Sequence, residues 1–132
     1  MTTNDTDARK HILVVNDDLA VLHLFDELLS EEGYRVTLDN FSRQTQEVYE
    51  TIRKERPDLV ILDFIIGNEG GGWQLLQAVE MDRTTRDTPL IICTGAVRQV
   101  TELGGHLETM GIQVVLKPFD IDHLLSVVKS ML

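Results

Sequence analysis

Four short apolar runs and one alternating segment, separated by stretches of helical periodicity, constrain this chain more than any other feature. The runs are His11 to Val15, Leu59 to Leu62, Leu90 to Cys93 and Ile112 to Leu116, and the alternating segment is Tyr34 to Leu38. Each is too short for a core helix and suits a strand; the apolar runs suit strands covered on both faces, as in a parallel sheet. Between them the period changes. Val21, Leu22, Phe25, Leu28 and Leu29 follow Leu19 on one helical face that ends at Gly33, and Val48 and Ile52 make a thin stripe within 42–56. A third helix begins near Trp73 and carries Leu75, Leu76 and Val79. A fourth, over 97–110, is interrupted by Gly104-Gly105 and is expected to be short, bent or mobile. The last starts at an Asp120 cap and presents Ile121, Leu124, Leu125, Val128 and Met131. Strict alternation of strands and helices predicts an α/β fold: a doubly wound five-stranded parallel sheet in a three-layer α/β/α sandwich.

With 132 residues the chain is long enough for one domain. We assign it to residues 10–132, behind a disordered polar arm over 1–9. The formal charge of −10 opposes binding to nucleic acid or to an anionic membrane surface. The single cysteine, Cys93, lies in an apolar run and reads as a buried thiol. The N-terminus is unlike a signal peptide and no apolar run reaches membrane-spanning length, so a cytoplasmic protein is expected. The four histidines, at 11, 23, 106 and 123, lack metal-like spacing and receive no function.

The strand ends carry the chemistry. Asn16-Asp17-Asp18 follows the first strand, Asp63 closes the third, Thr94 the fourth, and Lys117 follows the fifth. Parallel strands bring all these ends to one edge, where open α/β sheets bind ligands. Asp17 and Asp63 repel each other there, a state relieved by an oxygen-loving divalent cation. An ionised aspartate can attack phosphorus in line, with a cation, an ammonium and a hydroxyl stabilising charge on the phosphoryl oxygens. Singly, these residues have blander readings: Asp17 or Asp18 as a helix cap, Thr94 as a strand-end hydroxyl, Lys117 as a solvated charge. The glycines at 70–72 lack the Lys-Ser/Thr end of a P-loop.

The segments Ile12 to Asp18, Leu62-Asp63, Thr94-Gly95-Ala96 and Lys117-Pro118-Phe119 resemble the response-regulator receiver domain, over roughly residues 10 to 132. The resemblance implies a flavodoxin-like sheet of order 2-1-3-4-5 and a phosphoacceptor at Asp63. It implies Mg²⁺ or Mn²⁺ held by Asp17, Asp63 and the Ile65 backbone carbonyl. Thr94 is the implied switch hydroxyl, Lys117 the implied phosphoryl contact, and Lys117-Pro118 the implied cis peptide. The implied partners are a histidine kinase or phosphotransfer protein and a downstream protein, with the chain a monomer or weak homodimer. No enzymatic activity is expected beyond self-phosphorylation and autodephosphorylation.

Three positions depart from the pattern. Asn16 stands where the family has the first of two acids, so one charge is missing from the metal site; its carbonyl oxygen is expected to orient a metal-bound water, and Mg²⁺ binding to be weakened. A register that pairs Asp17 with Asp18 moves Val21, Leu22 and Phe25 off the sheet-facing positions. Val114 occupies the place of an aromatic switch residue. Apolar Ile65, two past Asp63, predicts slow autodephosphorylation. Read this way the chain is a single-domain response regulator; the alternative is a pseudo-receiver binding module with weak or no phosphorylation. A haloacid-dehalogenase-type phosphatase needs an acid at the place of Ile65, and a flavodoxin needs a hydroxyl-rich loop after the first strand; the sequence has neither.

Overall fold

The computed structural model describes residues 9–16, 18–40, 45–63, 77–94, 112–116 and 120–132, with backbone alone at 45, 46, 63, 94 and 116. The elements are β1 (His11–Val15), α1 (Leu19–Glu31), β2 (Arg35–Asp39), α2 (Thr45–Glu55), β3 (Leu59–Asp63), β4 (Leu90–Thr94), β5 (Ile112–Leu116) and α3 (Ile121–Met131). Residues 77–81 are also helical. All strand pairs are parallel, in the order β2-β1-β3-β4-β5.

Alternation along each strand divides the core in two. On one face Leu13, Val15, Val60, Leu62, Leu90 and Ile92 pack with Val48 and Ile52 of α2 and with Val79. On the other, Ile12, Val14, Leu59, Ile61, Ile91 and Cys93 pack with Leu22, Phe25 and Leu29 of α1 and with Leu124 and Val128 of α3. Both faces of the central strands are therefore dry, which is why β1 and β3 read as continuous apolar runs. β2 is an edge strand whose Arg35 to Leu38 are half-buried, matching its alternating sequence. The His11 ring lies in the core at 3% exposure, with Nε2 2.7 Å from Thr37 Oγ1.

Local chemistry sets the boundaries. The Asp18 carboxylate caps α1, accepting the N–H groups of Ala20 at 2.9 Å and Val21 at 3.4 Å. The same helix ends on Gly33 at φ +91°, where Gly33 N–H reaches Ser30 O and Tyr34 N–H reaches Leu29 O. Tyr34 is thus part of the helix stop, and β2 begins at Arg35 and takes in Asp39, one residue later than the alternation suggests. Arg56 closes α2 at φ 46° with its N–H on Ile52 O, because the following Pro57 disfavours helical geometry at the residue before it. A helix over 42–56 is expected from sequence; the observed α2 is shorter at its C-terminus for that reason, and 41–44 lie outside the described residues. The expectations for the 1–8 arm, Trp73, and the 97–110 helix with Gly104-Gly105 also lie outside them. The Asp120 cap is present, its carboxylate accepting Asp122 N–H at 2.8 Å.

Candidate functional site

Strand register assembles the candidate edge. Val15 of β1 is opposite Asp39 of β2 on one side and Leu62 of β3 on the other. Asn16 is therefore one residue past β1, beside the strand end at which Asp63 closes β3. Asp63 is opposite Cys93, and Thr94 is the last residue of β4, opposite Leu116, the last of β5. Lys117 is the next residue in the chain. The backbone thus brings the ends of all five strands to one edge of the sheet.

Asn16 is 2% exposed. Its N–H donates to Asp39 O at 3.0 Å, extending the β1–β2 ladder by one step. Its side-chain Oδ1 accepts the Asp18 N–H at 2.8 Å, so one lone pair of that oxygen is engaged inside the turn. Asp18 in turn spends its carboxylate on the α1 cap, and Leu22, Phe25 and Leu29 face the sheet. Asp18 therefore has a structural task of its own.

Val114 sits in β5 opposite Ile92 and packs, half-buried, against the α2-side core. Asp17, Ile65, Lys117 and Pro118, with the side chains of Asp63 and Thr94, lie outside the described residues. The Lys117-Pro118 peptide shares that position. Asp39 is not among the residues singled out from sequence, yet it is 5% exposed at the end of β2. The signal that reveals it is register: an acid that looks like the first loop residue after Leu38 is the fifth residue of the strand. Beside it an open cleft of about 320 Å³ is lined by Leu19, Leu22, His23, Leu38, Asp39 and Asn40. Among the described residues no group of three His, Cys, Asp or Glu side chains is arranged to hold a metal ion.

Residues 12–129 match the family model of the response regulator receiver domain. The chain belongs to this family. Receiver domains are phosphoryl-accepting modules of two-component signalling; they interact with histidine kinases or phosphotransfer proteins and generally bind Mg²⁺ for phosphorylation. The receiver is 32% identical over 123 residues to the regulatory protein VirG of Agrobacterium fabrum, covering 93% of this chain and 46% of the relative. It is 27% identical over 123 residues to the phosphate regulon transcriptional regulatory protein PhoB of Pseudomonas aeruginosa, covering 93% and 52%. The chain therefore spans about half the length of these curated relatives. Among solved structures it resembles a response regulator receiver domain protein from Methanospirillum hungatei, with a TM-score of 0.74, 26% identity and 93% of each chain covered. The chemotaxis response regulator CheY4 of Vibrio cholerae has the same fold, with a TM-score of 0.75, 22% identity, and 95% of this chain and 100% of that one covered. No helix among the described residues of the receiver is long and apolar enough to cross a membrane.

Proposed function

We propose that this receiver accepts a phosphoryl group on Asp63 from a histidine kinase or phosphotransfer protein in the cytoplasm, and signals through a protein partner. The observation that carries this reading is the shared edge: Asp63 and Thr94 are the last residues of β3 and β4, Asn16 the first past β1, and Lys117 follows the last residue of β5. In this reading the Asp63 carboxylate attacks phosphorus in line as the donor's P–N bond breaks and its imidazole leaves, the Thr94 hydroxyl and the Lys117 ammonium contact the phosphoryl oxygens, and attack of water on the acyl phosphate later releases inorganic phosphate and the free carboxylate. The chain itself turns over no other substrate.

The donors at this edge suit a hard cation. Asp17 and Asp63 are carboxylates, Asn16 supplies an amide carbonyl and Ile65 a backbone carbonyl, all oxygen donors of the kind that Mg²⁺ or Mn²⁺ takes. Asp17, Asp63 and the Ile65 carbonyl are the proposed ligands. When bound, such a cation neutralises charge on the phosphoryl oxygens. Asn16 is held by Asp18 through its Oδ1, so it acts first on the turn and only secondarily on any metal-bound water.

Incubation with acetyl phosphate and Mg²⁺ is expected to add about 80 Da to the wild-type protein, and nothing to Asp63→Ala. Absence of the gain in a folded wild-type protein supports the second reading, a pseudo-receiver that binds partners without phosphotransfer. That reading is favoured by one observation, the neutral and internally bonded Asn16 at the edge.

A further inference from the structure

Cations gather at the end of β3 opposite to Asp63. Arg53 and Lys54 in the last turn of α2, with Arg56 just past it, line an open cleft of about 380 Å³ together with Glu50 and with Thr84 of the connection before β4. Three cations thus stand with one acid, in a chain whose formal charge is −10. Two nearby acids have other work: the Asp82 carboxylate accepts Tyr49 and Thr84, with Arg53 Nε 3.8 Å away, and the Asp58 carboxylate accepts the His11 N–H at 2.7 Å. The Lys54 and Arg56 side chains are exposed and, among the described residues, make no ion pair. Arg56 holds its place at φ 46°, where glycine is less strained, so the turn itself does not call for a guanidinium. We propose that this cleft docks an acidic peptide segment of a partner protein.

The shape of the cleft selects that occupant. It is open and its cations are on exposed side chains close together in the chain, so it suits a row of carboxylates rather than one small anion held by converging buried donors. Residues three apart at a helix surface stand about 5–6 Å from each other, and alternate side chains of an extended peptide about 6–7 Å. Successive carboxylates therefore meet successive cations. Each arginine offers a carboxylate a planar, two-pronged donor, and Lys54 adds a mobile ammonium. Nucleic acid is a poor fit, since the acidic remainder of the chain repels a phosphate backbone. β3 runs from this end of the sheet to Asp63, so a partner held here leaves the Asp63 edge clear.

The test reads the fluorescence anisotropy of a labelled hexaglutamate peptide titrated with the full chain at low and at physiological salt. Wild type is expected to bind, and to bind more weakly as salt rises. Lys54→Gln with Arg56→Gly removes two exposed cations and is expected to weaken binding about five-fold or more, with Lys54→Gln alone giving part of that loss. Lys10→Gln with Lys129→Gln removes the same charge from exposed positions outside the cleft, and is expected to leave binding within about two-fold of wild type. Melting temperatures establish that each variant is folded. Absence of binding by wild type at low salt overturns the proposal. So does an equal loss in the two double variants, which reduces the effect to net charge. Inorganic phosphate that displaces the peptide more effectively than sodium chloride of the same ionic strength, or an oligothymidylate that binds more tightly than hexaglutamate, overturns it in favour of a phosphate ligand.

Discussion

The Asn16 carboxamide oxygen accepts the Asp18 backbone N–H at 2.8 Å, tying the end of β1 to the cap of α1. The link is buried on the Asn16 side, where an unmade hydrogen bond costs more than a made one contributes. Asn16→Ala is therefore expected to lower stability by about 1–2 kcal/mol in urea denaturation. Asn16→Asp keeps an acceptor in the same place, so it separates the turn from the charge. Without Mg²⁺ its stability should fall below that of wild type, because a further carboxylate joins a buried acidic edge, while Mg²⁺ affinity rises. Equal Mg²⁺ affinities for the two proteins would sink the idea that the missing charge weakens the site.

A second staple joins α2 to the connection before β4. The Tyr49 hydroxyl donates to the Asp82 carboxylate, Thr84 donates to it through N–H and Oγ1, each at 2.8 Å, and Arg53 Nε lies 3.8 Å away. The Tyr49 hydrogen bond is the largest cause holding the Asp82 carboxyl down from 3.8 to about 2, and that same bond raises the Tyr49 hydroxyl above 10.0. Because the Asp82 value is depressed on folding, its stabilisation is present above the unfolded value and lost as pH falls through about 2. The Tyr49 value is raised, so that contribution is present below 10.0 and lost as pH climbs past it. Asp82→Asn should flatten the dependence of melting temperature on pH between 3.8 and about 2. Tyr49→Phe should lower the melting temperature at neutral pH, and an unchanged value there would show that the hydrogen bond contributes nothing.

Arg56 sits in the left-handed region at φ 46°, a conformation that favours glycine at a helix C-terminus. Its side chain is exposed and lines an open cleft with Arg53 and Lys54. Arg56→Gly should stabilise the fold by roughly 0.5–1 kcal/mol. A destabilised variant in thermal or urea unfolding would mean that the arginine side chain holds α2 in place.

Ile52 tests the thin face of α2. With Val48 and Ile52 the fully buried side chains among the described ones of this helix, each apolar atom matters to its docking. Ile52→Ala should cost about 2–4 kcal/mol in urea denaturation, whereas Leu24→Ser on the exposed side of α1 should cost less than about 0.5 kcal/mol. Equal costs would contradict the assignment of faces.

Much of this fold was legible because a two-sided parallel sheet writes itself into sequence as unbroken apolar runs. Leu59 to Leu62 and Leu90 to Cys93 are buried on alternate faces, and both faces are apolar. The caps were legible for a similarly local reason, since Asp18 and Asp120 accept N–H groups within three residues. The edges of elements were less so. Tyr34 looks like strand and serves the turn that ends α1, while Asp39 looks like loop and ends β2; both outcomes depend on which backbone groups a neighbouring element offers.

The candidate site divides the same way. Sequence alone determined that Asp63, Thr94 and Lys117 follow apolar strands, because strand identity is a local property and alternation with helices makes the strands parallel. Only the tertiary structure decided that Asn16 turns its oxygen onto Asp18 and that Asp39 lies buried across from Val15. Those facts depend on register between strands distant in the chain, and register is set by the packing of whole faces rather than by any residue's own preference.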